Sequence, residues 1–450
     1  MGEKVKVVLL GAGSITFTPS LMKGLMESEL AKEGMLDISL VDVNPEILDM
    51  MYIIGTKMLN VYKKQKNLER FKIEKYVDRK QALEGADFVI VTIGVGGAKA
   101  THVDVNIPLK HGILQSVGDT VGPGGIFRAL RHIPVLLEIA RDMEDLCPEA
   151  FLFNYSNPMT ALMRALIRET KIKAYGLCTG IFGIWHFLAN YVDAPPEKVD
   201  LTVAGINHLC WVLNFTVRGE PGYPLLEQKL TKKGIPKGYY SAITFELYKL
   251  FGYVPSPGDR HVAEFFPNLF MNEEAVQKYR IPTGLAKTIY DFKVREPIEK
   301  LIRNVALGQE PIEKFLMRKG LEGEGIEVVR LIEAITLNRK MLYPGINVAN
   351  NGAIHNLPRW AIVEVPAYVD AMGVHSLNVG SLPKDIAGIL THRIAEYEIL
   401  IDSAIMGDKN LLLRALLMDG YVKSLDKAKK LVKDILMAER EWLPDYWFKQ

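Results

Sequence analysis

Short apolar runs alternate with longer stretches of helical spacing over roughly the first 180 residues of the chain. A continuous apolar run is typical of a parallel strand buried on both faces, and apolar residues three or four positions apart indicate a helix. The pattern predicts strands over 5–10, 37–43, 72–76, 87–93, 150–154 and 172–177, and helices over 19–29, 45–62, 81–85 and 126–145. Strands and helices that alternate at this length predict an α/β doubly wound sheet.

The alternation ends near residue 200. Segment 218–262 is rich in Gly, Pro and Tyr and predicts long loops with one helix near 241–250. Further helices are predicted over 290–305, 384–405 and most of 409–440, and the few strands over 201–206, 210–217 and 361–366. We therefore predict two domains, a doubly wound domain over 1–200 and a mainly α, α+β domain over 201–450 for substrate, metal and oligomer contacts.

Composition narrows the class of protein. The chain has 450 residues, 48% hydrophobic and 24% charged, with a formal net charge of +2, and its charges are interspersed. This is ordinary for a globular protein, without the basic face that nucleic acid requires and without the run of about 18 apolar residues that a membrane span requires. Three cysteines are too few for a disulfide framework, so a reducing, cytoplasmic location is predicted.

A glycine-rich turn follows the first predicted strand. Gly11 permits the tight turn, Gly13 lets the backbone approach a pyrophosphate, and Ser14 leads toward the helix, although the third glycine position of the dinucleotide fingerprint holds Thr16. Asp42 ends the second strand, where a carboxylate binds the adenosine ribose and favours NAD over NADP. Gly94 ends a later strand at a second point of close approach. Together these residues predict a Rossmann domain, lactate/malate dehydrogenase-like, that binds NAD.

Two further segments carry polar residues at strand ends. The glycine-rich loop 117–125 opens a helix, and Asp119 and Arg128 are candidates to contact a polar ligand. Asn154 follows another strand, at the end where doubly wound sheets bind ligands. Asn157, which precedes a proline, also fits a turn with a helix cap.

Cys178 and His208 each end an apolar run, which places them at the same rim of the predicted sheet. A thiolate and an imidazole make half of a metal shell, and substrate oxygens or water can complete it. Ordinary alternatives stay open at this point, because a lone cysteine is usually a small buried hydrophobe and a lone histidine is usually hydrogen-bonded.

Several motifs, in order along nearly the whole chain, resemble those of the family 4 glycoside hydrolases, which are NAD- and divalent-metal-dependent glycosidases. The resembling segments are 11–14, 117–131, 154–159, Cys178, 205–209, 259–267 and 354–367. The resemblance implies that Cys178 and His208 bind a metal ion, usually Mn²⁺. It also implies that Asn154 binds substrate and that Asp119 and Arg128 lie in the substrate-facing loop.

The resemblance further implies an unusual reaction, an exception to the two-carboxylate glycosidases. NAD takes hydride from sugar C3, a base removes the C2 proton, and the metal stabilises the resulting enolate. The aglycone then leaves C1 by elimination, water adds, and the hydride returns to C3. NAD is thus recycled rather than consumed.

The chain departs from the family at two places. The four residues that begin at the metal cysteine vary with substrate, and Cys178-Thr179-Gly180-Ile181 matches no known version. It is nearest to the α-glucuronidase version through Gly180, and Thr179 cannot act as a general acid near neutral pH. The C2 base is a tyrosine in phospho-glycosidases, whereas residues 259–261 resemble the neutral α-glycosidases. We predict Asp259 as the base, with Tyr253 second and Arg260 as a substrate contact.

We therefore predict an α-glycosidase that acts on an α-glucoside or α-galactoside by this route, as a homodimer or homotetramer. An α-glucuronidase or α-galacturonidase with the same mechanism is the near alternative. A 2-hydroxy-acid dehydrogenase would need no metal and would accumulate NADH. A non-catalytic NAD sensor would not need Cys178 and His208 together at one rim of the sheet.

Overall fold

The computed structural model of the chain describes residues 4–66, 68, 70–318, 321 and 325–449. Its strands are β1 (Val5–Leu10), β2 (Leu36–Val41), β3 (Lys72–Tyr76), β4 (Phe88–Val91), β5 (Phe151–Asn154), β6 (Lys173–Gly176), β7 (Val199–Ile206), β8 (Leu209–Val217), β9 (Glu220–Pro221), β10 (Pro255–Ser256), β11 (Met341–Ala349), β12 (Ile362–Asp370) and β13 (Gly373–Ser376).

Helices cover both faces and the ends of the sheet that these strands form. They are α1 (Phe17–Glu27), α2 (Glu29–Lys32), α3 (Pro45–Lys66), α4 (Arg79–Leu83), α5 (Gly97–Lys110), α6 (Gly122–Leu146), α7 (Met159–Glu169), α8 (Gly180–Tyr191), α9 (Gly222–Lys233), α10 (Ala242–Phe251), α11 (Asp259–Val262), α12 (Pro267–Phe270), α13 (Glu273–Tyr279), α14 (Gly284–Ala306), α15 (Ile312–Leu316), α16 (Gly325–Thr336), α17 (Lys384–Met406), α18 (Lys409–Asp419) and α19 (Leu425–Ala438). No helix in the described ranges is long and apolar enough to cross a membrane.

The sheet joins a parallel half to an antiparallel half. Strands β3, β2, β1, β4, β5 and β6 pair in that order and run parallel. This is the strand order of the Rossmann fold, so the predicted α/β class and doubly wound sheet are confirmed. Beyond β6 the same sheet continues antiparallel through β11, β12, β7, β8 and β10.

One row of paired residues crosses this sheet just before the loops that carry the predicted chemistry. In order, the row is Leu10, Val91, Asn154, Gly176, Asn347, Glu364, Gly205 and Cys210. The loops after β1, β4, β5 and β6, and the β7–β8 turn, therefore leave the sheet at a single rim. Because that rim receives the carboxyl ends of the parallel strands, it is where a doubly wound sheet binds its ligands.

A buried ion cluster ties the C-terminal segment to the first half of the chain. Arg131 of α6 lies 2.8 Å from Asp104 of α5 and also pairs with Glu439, which follows α19, and all three side chains are fully buried. Arg131 also donates to the Val95 carbonyl oxygen at 3.4 Å. A buried cation of this kind is tolerated because carboxylates and a carbonyl satisfy its donors.

Local pattern located most elements of the parallel half but missed several others. Helices α5, α8 and α9 were not predicted, and α9 lies in a segment that was expected to be loop. Strand β11 was also missed, because Pro344 and Gly345 look like a turn. The register between β11 and β12 shifts between Tyr343 and Ile346, and this irregularity accommodates the two residues within the strand. One continuous sheet passes residue 200, and the division into two domains stays a prediction.

Candidate active site

A cavity of about 400 Å³ opens at the rim of the sheet. The loops after β1, β5 and β6 contribute to its wall, as do the β7–β8 turn and segments 239–240 and 257–261. The residues that line it are Phe17, Tyr155, Asn157, Met159, Leu177, Cys178, Thr179, Gly180, Gly183, His208, Tyr239, Tyr240, Pro257 and His261. Cys178 and His208, predicted to share one rim, thus share one cavity.

His208 occupies the tight turn between β7 and β8, with a backbone φ of +65° that non-glycine residues seldom adopt. Its Nδ1 lies 2.9 Å from the Thr120 hydroxyl, which donates to Asp119 Oδ1 at 2.7 Å. Because that hydroxyl has a single proton, it accepts from His208 Nδ1–H. The arrangement leaves the lone pair of His208 on Nε2, the form in which a histidine binds a metal ion.

Asp119, His208 and His261 form a group whose ligand atoms all lie within 4.8 Å of one another. His261 Nδ1 is buried and, within the described part of the chain, has no hydrogen-bond partner. Burial lowers the pKa of His208, and burial together with His208 lowers the pKa of His261 to about 3, so both imidazoles are neutral. One carboxylate and two neutral imidazoles fit a divalent cation.

Asp119 is held from a second side by the turn after β5. Asn157 Nδ2 donates to Asp119 Oδ2 at 3.2 Å, and Arg128 Nε donates to the Asn157 carbonyl oxygen at 2.9 Å. Burial raises the pKa of Asp119, but the charge of the Arg128 guanidinium and the hydrogen bond from the Thr120 hydroxyl act in the opposite direction, and the pKa of Asp119 lies below its ordinary value. Asp119 is therefore an anion, and Arg128 supports it through Asn157.

Cys178 begins the loop that leads into α8. Its Sγ accepts the Gly180 backbone N–H at 3.3 Å, and its side chain is half-buried at the cavity wall. A sulfur at a helix N-terminus favours the thiolate, which is the form that binds metal ions. Cys178 lies beside the group of Asp119, His208 and His261 and outside its tight cluster of ligand atoms.

Close packing within the protein requires glycine in the turn after β1. Gly11 has a φ of +86°, and a Cβ at this residue would lie 2.8 Å from the Ile93 nitrogen. A Cβ at Gly13 would lie 2.7 Å from Asp42 Oδ2, and the Gly13 N–H donates to that same oxygen at 2.7 Å. Ser14 Oγ accepts the Phe17 N–H at 3.2 Å at the start of α1. The turn fits a dinucleotide, whose pyrophosphate needs close backbone approach.

The two base candidates from the sequence lie away from the cavity wall. Asp259 caps the start of α10, where Oδ1 accepts the Ser241 and Thr244 N–H groups at 2.9 Å and Oδ2 accepts that of Ile243 at 3.0 Å. Tyr253 packs edge-on against the Tyr223 ring. Neither Asp259 nor Tyr253 is among the residues that line the cavity, so their catalytic roles stay predictions.

Asn154 and Arg260, two predicted substrate contacts, are not among the residues that line the cavity, and their roles stay predictions. Asn154 is fully buried, and its Nδ2 donates to the Ser156 carbonyl oxygen at 3.0 Å, while Asn157 lines the cavity instead. Arg260 donates to the Ser116 carbonyl oxygen at 3.1 Å. Gly94 is exposed, and a Cβ there would meet nothing within 4 Å.

Sequence reasoning missed part of the cavity wall. Tyr239 and Tyr240 line it, and the segment that contains them was expected to be loop without a role. Burial raises the pKa of both hydroxyls, so they stay protonated. His261 also lines the cavity, although only Asp259 and Arg260 of the segment 259–261 were predicted to have a role.

The fold and the site define a Rossmann-type α/β enzyme. The chain belongs to glycosyl hydrolase family 4, as the resemblance predicted. The model of the family 4 glycosyl hydrolases matches residues 6–194, and the model of their C-terminal domain matches residues 203–422.

Individual relatives cover nearly the whole chain. An α-galactosidase from Bacillus subtilis (strain 168) is 31% identical over 98% of this chain and 99% of its own length. An α-galacturonidase from the same organism is 32% identical over 97% and 98%. The crystal structure of lplD from Bacillus subtilis has a TM-score of 0.84 and 29% identity, over 97% of this chain and 100% of its own. A 6-phospho-α-glucosidase from gut microorganisms, in complex with NAD and Mn²⁺, shares the fold with a TM-score of 0.82 at 19% identity over 98% and 99%.

Proposed function

We propose that this chain hydrolyses a neutral α-hexoside, an α-galactoside or α-glucoside, and needs NAD and a divalent metal ion to do so. The observation that carries the proposal is the group of Asp119, His208 and His261. Its two histidines line a sugar-sized cavity at the rim that also holds the glycine turn. The relatives that bind NAD and Mn²⁺ support the same cofactors here.

This chain has residues that fit both NAD and a divalent metal ion. Gly11, Gly13, Ser14 and Asp42 would hold NAD at the turn after β1, with Gly94 at the next loop. Cys178 and His208, as predicted, and Asp119 and His261 beside them are the residues that would hold the metal ion. When bound, NAD accepts and returns a hydride, and the metal ion is a Lewis acid for the sugar oxygens.

The choice of a neutral sugar rests on the cavity wall. Tyr155, Tyr239 and Tyr240 give it aromatic surface, and Asn157 gives it an amide. Among the lining residues that the structure describes, none is Lys or Arg. A uronate carboxylate or a sugar phosphate would therefore find no lysine or arginine among the described lining residues to bind it.

The proton acceptor at sugar C2 must reach into this cavity. Asp259 and Tyr253 stay the predictions from sequence. Substituting each of the two separately, and measuring exchange of the C2 proton with solvent, identifies the base as the residue whose loss abolishes exchange.

The test is release of nitrophenol from α-galactoside, α-glucoside, both α-uronides and a 6-phospho-glucoside, with and without NAD, Mn²⁺ and a thiol reductant. We expect hydrolysis of a neutral α-hexoside that requires NAD and Mn²⁺ and produces no net NADH. Preference for an α-uronide would overturn the neutral-sugar proposal and favour the galacturonidase-like alternative. Steady NADH formation from a hydroxy acid would favour the dehydrogenase. Membership of glycosyl hydrolase family 4 does not favour that alternative.

The cytoplasmic location and the homodimer or homotetramer stay predictions. Native mass spectrometry of the purified chain measures the oligomeric state directly.

A further inference from the structure

One short segment supplies side chains to several parts of the site. It consists of α11 and the following turn Ala263–Phe265. Asp259 caps α10, Arg260 contacts the Ser116 carbonyl oxygen, and His261 stands in the group of candidate metal ligands. Glu264, with 1% of its surface exposed, is the remaining polar residue of the segment, and its contacts lie in the glycine-rich loop.

The Glu264 carboxylate accepts three consecutive backbone amides. Oε1 lies 2.7 Å from the Ser116 nitrogen, 2.7 Å from the Val117 nitrogen and 3.0 Å from the Gly118 nitrogen. Gly118 has a φ of +67°, which turns the chain directly after the three amides. Successive amides that converge on one oxygen form a nest. Burial raises the pKa of Glu264 to about 8, and the hydrogen bonds from these amides act in the opposite direction.

Asp119 follows this nest directly. At the other end of the loop, the Gly122 N–H donates to Asp419 Oδ2 at 2.9 Å, so Asp119 sits between two anchored amides. Glu264 and His261 are three residues apart on one helical turn, which places them on the same side of it. The nest therefore joins the loop of Asp119 to the segment of His261.

We infer that Glu264 is a positioning residue that holds Asp119 and His261 at the separation at which both can bind one divalent cation. The inference rests on the proposed metal-dependent function and deepens it. Glu264 acts through the backbone of residues 116–118 and does not line the cavity. It also explains how a loop with so many glycines keeps one conformation.

The test uses the full chain with Glu264→Ala, Glu264→Gln and the control Ile335→Ala. Ile335 is buried in α16, so its truncation lowers stability without touching the loop. The first readout is hydrogen exchange of the amides of residues 116–118. We expect exchange to be about ten-fold or more faster in Glu264→Ala, because the three hydrogen bonds to the Glu264 carboxyl group are lost. Glu264→Gln keeps an acceptor oxygen and should lie in between, and Ile335→Ala should match the unmodified chain.

The second readout is the affinity for Mn²⁺ alone, measured by electron paramagnetic resonance of the free ion. We expect Glu264→Ala to lose about ten- to a hundred-fold in affinity, as outer partners of metal ligands do, with partial recovery in Glu264→Gln. Unchanged loop exchange, faster exchange with unchanged Mn²⁺ affinity, or an equal loss in Ile335→Ala would each overturn the inference. If the unmodified chain binds no Mn²⁺, the proposed function is overturned as well. This measurement on the unmodified chain needs no variant, so the two failures are distinguishable.

Discussion

His208 Nδ1 and Thr120 Oγ1 lie 2.9 Å apart, and this contact decides which nitrogen of the histidine faces the cavity. Thr120→Val would keep the shape of the side chain but leave the Nδ1–H without its acceptor. We expect the affinity for Mn²⁺ to fall about ten-fold, because the ring is no longer held in one tautomer. Thr120→Ser keeps the hydroxyl and should bind like the unmodified chain. Calorimetric titration with Mn²⁺ measures both, and equal affinities for the Val and Ser variants would contradict the role of Thr120.

Gly13 and Gly94 were both predicted to approach the cofactor, and their surroundings separate them. A Cβ at Gly13 would lie 2.7 Å from Asp42 Oδ2 and 2.8 Å from Ile47 Cγ2, whereas one at Gly94 would meet nothing within 4 Å. We expect Gly13→Ala to cost about 1–3 kcal/mol of stability and to weaken NAD binding. Gly94→Ala should leave stability unchanged, so any loss of NAD affinity there reports a direct contact. Thermal unfolding measures the change in stability of each variant, and fluorescence titration with NADH measures the change in affinity. A Gly13→Ala variant that binds NADH normally would contradict the close approach of the cofactor to Gly13.

The three cysteines should differ in reactivity. Cys178 is half-buried at the cavity, whereas Cys147 and Cys210 are buried. Burial raises the pKa of the Cys147 thiol to about 11, and burial with Glu364 raises that of Cys210. We expect one thiol of the native chain to react with iodoacetamide, since the thiolate is the nucleophile.

Peptide mass spectrometry identifies the modified residue. Cys178→Ser should abolish fast labelling and Cys147→Ser should not. Mn²⁺ should slow labelling at Cys178 if the sulfur is a ligand. Labelling at the same rate with and without Mn²⁺ would remove Cys178 from the proposed ligand set.

Glu364 gives the folded state a dependence on pH. Burial raises its pKa from an ordinary value near 4.5 to about 7, although the Asn207 amide and the Cys210 thiol donate to it. The folded chain therefore keeps this proton over a range of pH in which the unfolded chain has released it. Its contribution to stability is complete below about pH 4.5 and is lost as the pH rises to about 7, by up to about 3 kcal/mol.

Glu364→Gln cannot titrate, so the difference in unfolding free energy between this variant and the unmodified chain should change over that window. Urea unfolding at several pH values measures it. A difference that is constant from pH 4 to pH 8 would show that Glu364 has an ordinary pKa in the folded chain.

Much of the parallel half of the fold follows from local pattern. Residues 7–10 of β1 and the whole of β4 are continuous apolar runs and are buried, and a run of this kind can be recognised without knowing its neighbours. Glycine-rich turns after strands indicated the Rossmann domain for a similar reason, because the backbone conformation that they permit is local. Strand β11 could not be found this way, since the pairing that accommodates Pro344 and Gly345 comes from β12.

The sequence by itself determined the α/β class, the glycine turn at Gly11–Gly13 and the presence of Cys178 and His208 at strand ends, because each depends on residues close together in the chain. The tertiary structure alone decided which distant side chains meet. His261 lies beside Asp119 and His208, and Asp259 caps a helix. Asn157 lines the cavity, where Asn154 was expected. The physical reason is that side-chain direction and partners depend on how loops from both halves pack at one rim, and those contacts are not encoded in any short segment.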